Sequence, residues 1–218
     1  MTVARVLILM AAAGALSAAH AAPASTTAPA AAAATPAPKL SQIDAAKAFA
    51  KQMLADATAA LTKPKTTEAQ RLVAFQDVLK KSLALDVVGK FVLGATNRSK
   101  MTPAQIARYD AAFPPYITRQ YADQFKDLVG RPMEITRAVP VPRRASDTLV
   151  RAKITRKSGP PINVDWRVRK LSDGSQKIVD IIVSGVSIMT VKREEFASFI
   201  KTKGVEALLA RIEKEAKA

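Results

Sequence analysis

The sequence predicts an α+β domain, and three observations carry that reading. Apolar residues recur at helical spacing up to about residue 130, the period changes to two at Arg131, and helical spacing returns near Arg193. Short turn-forming stretches separate the strand segments, which leaves only an antiparallel meander. Helices, then strands, then helices is the order of a fold whose helices pack on one face of such a sheet.

The N-terminal segment stands outside that domain. Arg5 precedes an apolar run at 6–16, and Ala19-His20-Ala21 supplies the small-x-small pattern of a signal-peptidase site, so residues 1–21 read as a signal peptide. No later stretch reaches the ~18 apolar residues of a membrane span. Residues 22–38 are almost wholly Ala, Pro and Thr, with little to bury, and are expected to form a disordered tether. Residues 39–218 then suit a single domain.

Composition narrows the chemistry. The chain has 34 Lys and Arg against 18 Asp and Glu, a formal charge of +16, with no Cys and one His, which lies in the leader. Cysteine or histidine nucleophiles, imidazole bases and the usual zinc sites are therefore excluded from the domain, and no disulfide staples it. No enzyme, metal site or cofactor is expected.

A first helix is predicted at 41–61, with Ile43, Ala46, Phe49 (or Ala50), Met53 and Leu54 at helical spacing, stopped by Lys63-Pro64-Lys65. Thr67 with Gln70 reads as a capping box for a second helix whose inward stripe is Leu72, Phe75, Leu79 and Leu83. A short apolar helix at 86–93 ends at Gly94. Thr102 with Gln105 repeats the capping box, with Pro103 at the first helical position. That helix carries Ile106, Tyr109 and Phe113. Pro114-Pro115 is expected to kink or break it before it resumes through Tyr116, Ile117, Tyr121, Phe125 and Leu128 to a cap at Gly130.

Four strands follow. Met133 and Ile135 open the first; Thr148, Val150, Ala152 and Ile154 alternate with Arg151, Lys153 and Thr155 in the second; Ile162, Val164, Trp166 and Val168 alternate with Asn163, Asp165, Arg167 and Arg169 in the third. In the fourth, Val179, Ile181 and Val183 share one face and Ile178 and Ile182 the other, so both faces want cover. Asp180 interrupts the second face and is expected to be a paired structural charge. Gly185 sits where the chain bends most easily. Two helices close the chain, from about Arg193 and Val205.

Strands two and three have one apolar face and one rich in Arg and Lys. It is either a solvated surface or one that attracts lipid headgroups, lipopolysaccharide or an acidic partner. Nucleic acid also suits the charge, but no aromatic residues interleave the basic positions to stack bases, and the leader exports the chain.

The run from Val179-Asp180 through Ser184-Gly185-Val186-Ser187 to Phe196, closed by Gly204 and Leu208-Leu209, resembles the toluene-tolerance or MlaC family. Phe91-Val92-Leu93-Gly94, Thr102-Pro103-Ala104-Gln105, Phe113 and Tyr121 match its pattern in order and spacing. Gln176 departs from it where a tryptophan is usual, as does Val191-Lys192 where an aromatic-basic pair is usual. The resemblance implies an NTF2-like fold, a four-stranded antiparallel sheet with helices on one face around an apolar cavity. It implies a monomeric periplasmic carrier of phospholipid that moves between an outer-membrane lipoprotein/porin complex and an inner-membrane ABC transporter complex with an MCE-type substrate-binding protein. A related branch associated with hopanoids leaves a sterol-like lipid open, and an exported cationic adaptor for an acidic partner or envelope polymer is the alternative from another class.

On the same resemblance the lipid-binding surface comprises Phe91, Tyr109, Phe113, Tyr116, Ile117 and Tyr121 from the helices, with Trp166, Val168, Ile181, Val183, Val186 and Ile188 from the sheet and its exit. The tails of one two-chain lipid represent ~20 kcal/mol or more of transfer from water at ~0.8 kcal/mol per CH₂. A carrier has to replace nearly all of that burial. A pocket near or above the upper end of the ~300–1,000 Å³ typical of ligand sites is therefore expected.

Overall fold

The computed structural model describes residues 37–125, 131–156 and 158–217. The leader at 1–21, nearly all of the expected tether, Leu128 and the Gly130 cap lie outside the described residues. Among the described residues, seven helices and five strands follow in the order α1 (Ala37–Thr62), α2 (Glu68–Ser82), α3 (Leu85–Leu93), α4 (Ala95–Arg98), α5 (Pro103–Phe125), β1 (Met133–Val141), β2 (Arg144–Ile154), β3 (Ile162–Lys170), β4 (Gln176–Val183), β5 (Val186–Ser187), α6 (Ile188–Lys203) and α7 (Val205–Lys217). The strands form one antiparallel sheet in sequence order. The fifth strand, two residues long, is one more than expected. It exists because Ser184 and Gly185 both take positive φ (50° and 85°) and fold Val186 back onto Val183.

Both capping boxes form. The Gln70 N–H donates to Thr67 Oγ1 at 3.2 Å while Gln70 Oε1 accepts from the Thr67 N–H at 2.9 Å, and Thr102 with Gln105 repeats both bonds at the same distances. α1 begins at Ala37, inside the stretch expected to be tether. α5 runs as one helix through Pro114 and Pro115, so of the expected kink or break the break does not occur. Tyr109, Phe113, Tyr116, Ile117 and Tyr121 are all buried, so packing on both sides of the prolines holds the helical path, and the Thr118 hydroxyl donates to the Pro114 carbonyl at 2.8 Å.

A second departure lies in β4. Val168 pairs with Ile178 and Arg167 with Asp180, leaving Val179 as the extra residue of a β-bulge. The strand's parity changes there, so Ile178, Ile181 and Val183 all face inward opposite Val168, Trp166 and Val164. Asp180 and Ile182 face outward opposite Arg167 and Asp165. Ile178 thus joins Ile181 and Val183, rather than Ile182 as simple alternation has it.

The core centres on four rings. Tyr109 stacks on Phe113 at 5.3 Å, and Phe196 of α6 meets both edge-on at 6.4 Å and Tyr116 at 5.9 Å. The Tyr109 hydroxyl donates to the Gly89 carbonyl at 3.0 Å, and a Cβ on Gly89 would lie 3.0 Å from the Phe113 ring, so a side chain there would require that ring to shift by a few tenths of an ångström. Further out, Gln120, Lys192, Glu195, Arg211 and Glu215 form a closed ring of polar contacts of 2.6–3.0 Å joining α5, α6 and α7. Replacing Phe196 with Ala leaves a cavity at the meeting point of three helices. Urea unfolding is expected to show a loss of about 3–5 kcal/mol without loss of the fold.

Candidate functional site

An apolar cavity of about 80 Å³ lies between the α1–α2 hairpin and the inward face of the sheet. α1 contributes Met53, Leu54 and Ala57, and α2 contributes Phe75, Val78, Leu79 and Ser82. Leu83 follows, and the sheet supplies Met133, Ile154, Val164, Trp166, Ile178 and Ile181. Ser82 brings the one hydroxyl of this wall, which carries no charged side chain.

The elements place these groups by simple rules. Met53 and Ala57 are four apart on α1, Phe75 and Leu79 four apart on α2, so each pair lies on one helix face. The strand residues alternate, except where the bulge brings Ile178 and Ile181 onto the same side. Leu54, Val78 and Met133 are the partly exposed members of the wall, and the others are buried.

The cavity is several times the ~10–15 Å³ that one water needs, but smaller than the ~300–1,000 Å³ of ordinary ligand pockets. The large pocket expected from the cost of transferring acyl chains is therefore not open in this conformation. The reason is that the hairpin lies close: Ala46, Ala50, Met53 and Ala57 of α1 are 0–8% exposed, and the three alanines admit the sheet.

Of the residues singled out from the sequence, the structure places Trp166 and Ile181 in this wall. Tyr109, Phe113, Tyr116, Ile117, Tyr121 and Val168 are buried in the core, and Val183 packs against it half-buried. Tyr109 and Phe113 also line a separate cleft of about 230 Å³ between α3 and α5 with Leu85, Asp86, Gly89, Lys90, Asp110 and Pro114. Phe91 is 41% exposed beneath the Arg193 guanidinium, 5.1 Å from its ring. Val186 is exposed and Ile188 half-buried at the start of α6. Met53, Leu54, Phe75 and Leu79 were legible as inward stripes, whereas nothing in their pattern marked them as cavity wall.

The outward face carries the charge. Arg151 grips Asp165 through Nε at 2.6 Å and Nη2 at 2.7 Å. Asp147, whose side chain is fully buried, accepts from Arg167 Nε at 2.8 Å and from Arg169 Nε and Nη2 at 2.7 and 2.9 Å. Burial alone would raise the Asp147 carboxyl, but the hydrogen bonds from Arg169 and Arg167 outweigh it and hold the group below the usual carboxylate range. Asp180 shifts the other way. Burial pushes it up, against the Ser187 hydroxyl at 2.8 and 3.0 Å and the Met189 N–H at 3.4 Å. Its hydrogen bonds come from the Ser187 hydroxyl and from backbone amides, and the Arg167 guanidinium, opposite it on β3, supplies the charge interaction expected of a paired carboxylate.

The fold and its site define a class: an α+β domain in which a helical hairpin and an antiparallel sheet close over an apolar cavity. The chain belongs to the MlaC family, whose family model, described as MlaC protein, matches residues 47–214. It is also similar in fold to the phospholipid-binding protein from Ralstonia solanacearum, a structure solved in complex with a phospholipid, with a TM-score of 0.65 and 21% identity over 79% of this chain and 97% of that one.

Asp147→Asn leaves two arginines without their carboxylate and is expected to cost about 2–3 kcal/mol at pH 7 by urea unfolding. Because the Asp147 carboxyl is depressed, its contribution is present above the unfolded carboxylate range and disappears as pH falls through the folded value. The gap between the two proteins should therefore narrow below about pH 4.

Proposed function

We propose that this protein is a periplasmic lipid carrier that binds the acyl chains of a phospholipid between the α1–α2 hairpin and the sheet. The observation that carries the reading is the uncharged, predominantly apolar cavity wall in a chain of the MlaC family. A similarly folded protein that holds a phospholipid supports it. Binding and transport, with no catalytic step, is the whole activity. The signal peptide delivers the chain to the periplasm, and lipid passes between an outer-membrane lipoprotein/porin complex and an inner-membrane ABC transporter complex with an MCE-type component.

Loading has a physical requirement. Two acyl chains need several times the volume now enclosed, so the hairpin has to move away from the sheet as the lipid enters. Apolar packing between hairpin and sheet then gives way to packing against the acyl chains, which keeps the net cost of opening small. Such exchange suits a carrier, which has to release its cargo as well as take it up. Phe91, Val186 and Ile188, outside the cavity wall, belong to the lipid-binding surface only where the opened protein brings them to the chains.

Mass spectrometry of an organic extract, from full-length chain expressed in a Gram-negative host and purified without detergent, tests this. Near-stoichiometric phospholipid is the expected result; protein that carries no lipid and takes none from vesicles contradicts the reading. Ala57→Phe places a ring in the cavity space. It is expected to reduce bound lipid to background while costing about 1–3 kcal/mol of stability by urea unfolding, since the ring takes up the cavity and presses on the close packing of α1 against the sheet.

A further inference from the structure

The outward face of the sheet is built in two layers. Its carboxylates on β2, β3 and β4 are covered: the side chains of Asp147 and Asp165 are 0% and 10% exposed, and Asp180 is 9% exposed. The arginines that pair with Asp147 and Asp165 lie above, with side chains 24–46% exposed. Solvent on this face of β2–β4 therefore meets mainly the guanidinium groups.

Cross-strand register adds an independent observation. Arg137 of β1 stands directly opposite Arg151, although the neighbouring pair on the same face, Glu134 and Lys153, is oppositely charged. Like charges in direct opposition weaken a sheet, and the Arg137–Arg151 pair falls on this face. An anionic partner relieves that repulsion.

We propose that the outward face of β2–β4 is a docking surface for a partner protein that presents a cluster of Asp and Glu side chains. The arginines are set for this. Arg167 spends only Nε on Asp147, and Arg151 and Arg169 spend Nε and Nη2 on their carboxylates, so further guanidinium N–H groups remain for a second acceptor. Because buried carboxylates already fix their side chains, little rotamer freedom is left to lose on binding.

The chemistry of the face favours a protein over a membrane. Arginine outnumbers lysine across it, and Val139, Leu149 and Ile182 are half-buried among the charges. Arginine with interleaved apolar groups is the composition of a protein interface. A membrane surface is satisfied by mobile lysines and calls for no such order. The surface lies on the opposite side of the sheet from the cavity, so it stands or falls separately from the lipid reading.

The test titrates the full-length chain, ¹⁵N-labelled, with a glutamate-rich peptide containing interspersed leucines, following the arginine Nε–Hε signals. The signals of Arg151, Arg167 and Arg169 should move together. Lys153→Gln, which removes a charge at an exposed position on this face opposite Glu134 without adding a second carboxylate there, should weaken binding about fivefold, and Lys201→Gln with Lys203→Gln on α6 should change it less than about twofold. Arg151→Lys with Arg169→Lys keeps the charge but loses the fork, and should also weaken it. Equal weakening by the β2 and α6 variants would reduce the effect to general attraction by a basic chain and overturn the proposal. So would movement of the same signals with phosphatidylglycerol vesicles but not with peptide, which would assign the face to a membrane.

Discussion

The inward face of the sheet is apolar across four strands, and it has to be kept from water. The α1–α2 hairpin does most of that work where the cavity lies. Its fit there is incomplete, because alanines at 46, 50 and 57 bring α1 close while Phe75 and Leu79 of α2 prop the middle. The result is a contact made mostly of non-directional apolar packing, whose directional tie to the strands comes at and just past the end of α2, where the Ala84 N–H donates to the Ile178 carbonyl at 2.9 Å and the Lys177 ammonium donates to the Lys81 carbonyl. Such a contact can be given up to another apolar surface at little cost. α1 is anchored at its other end, where Gln42 donates to the Ser146 carbonyl at 3.3 Å and contacts Gln176. The rest of the helical layer is fastened differently. Four packed aromatic rings and the ring of polar contacts around Lys192 and Arg211 hold α5, α6 and α7 together, whereas the hairpin meets the cavity through apolar side chains.

Much of this was legible in the sequence. The change of period at Arg131, the two capping boxes and the strict alternation from Ile162 to Arg169 are local signals, and each has the structure it implies. The misreadings came where a distant contact overrules a local rule. Pro114-Pro115 argues for a break only if the flanking turns are free to part, and five buried side chains hold them. Simple alternation in β4 fails at Val179 because a bulge is set by the partner strand, which the local sequence does not show. The aromatic residues of α5 are the most conspicuous apolar groups in the chain, yet they pack on one another, while plainer residues of α1 and α2 line the cavity. A void depends on how two surfaces fail to meet, and no residue carries that signal by itself.

The charged face illustrates the same limit. Alternation correctly put Arg151, Arg167 and Arg169 outward, but it also put Asp165 beside them without a partner, and it passed over Asp147 at the edge of its strand. Only the register between β2 and β3 shows that Asp147 stands across from Arg169, and that Asp165 stands across from Arg151. What read as a basic surface is a layer of arginines over a layer of acids. The same bulge that turns Ile178 inward turns Asp180 outward, where it supports the first turn of α6 through Ser187.

The central claim is that acyl chains enter the space under the hairpin. Trp166, the one tryptophan of the chain, lies in that wall and reports on it directly. Phospholipid with brominated chains should quench its fluorescence as lipid is taken up, saturating near one lipid per protein, while the unbrominated lipid leaves the emission unquenched. Lipid that binds without bromine quenching of Trp166 would place the chains elsewhere and contradict the account.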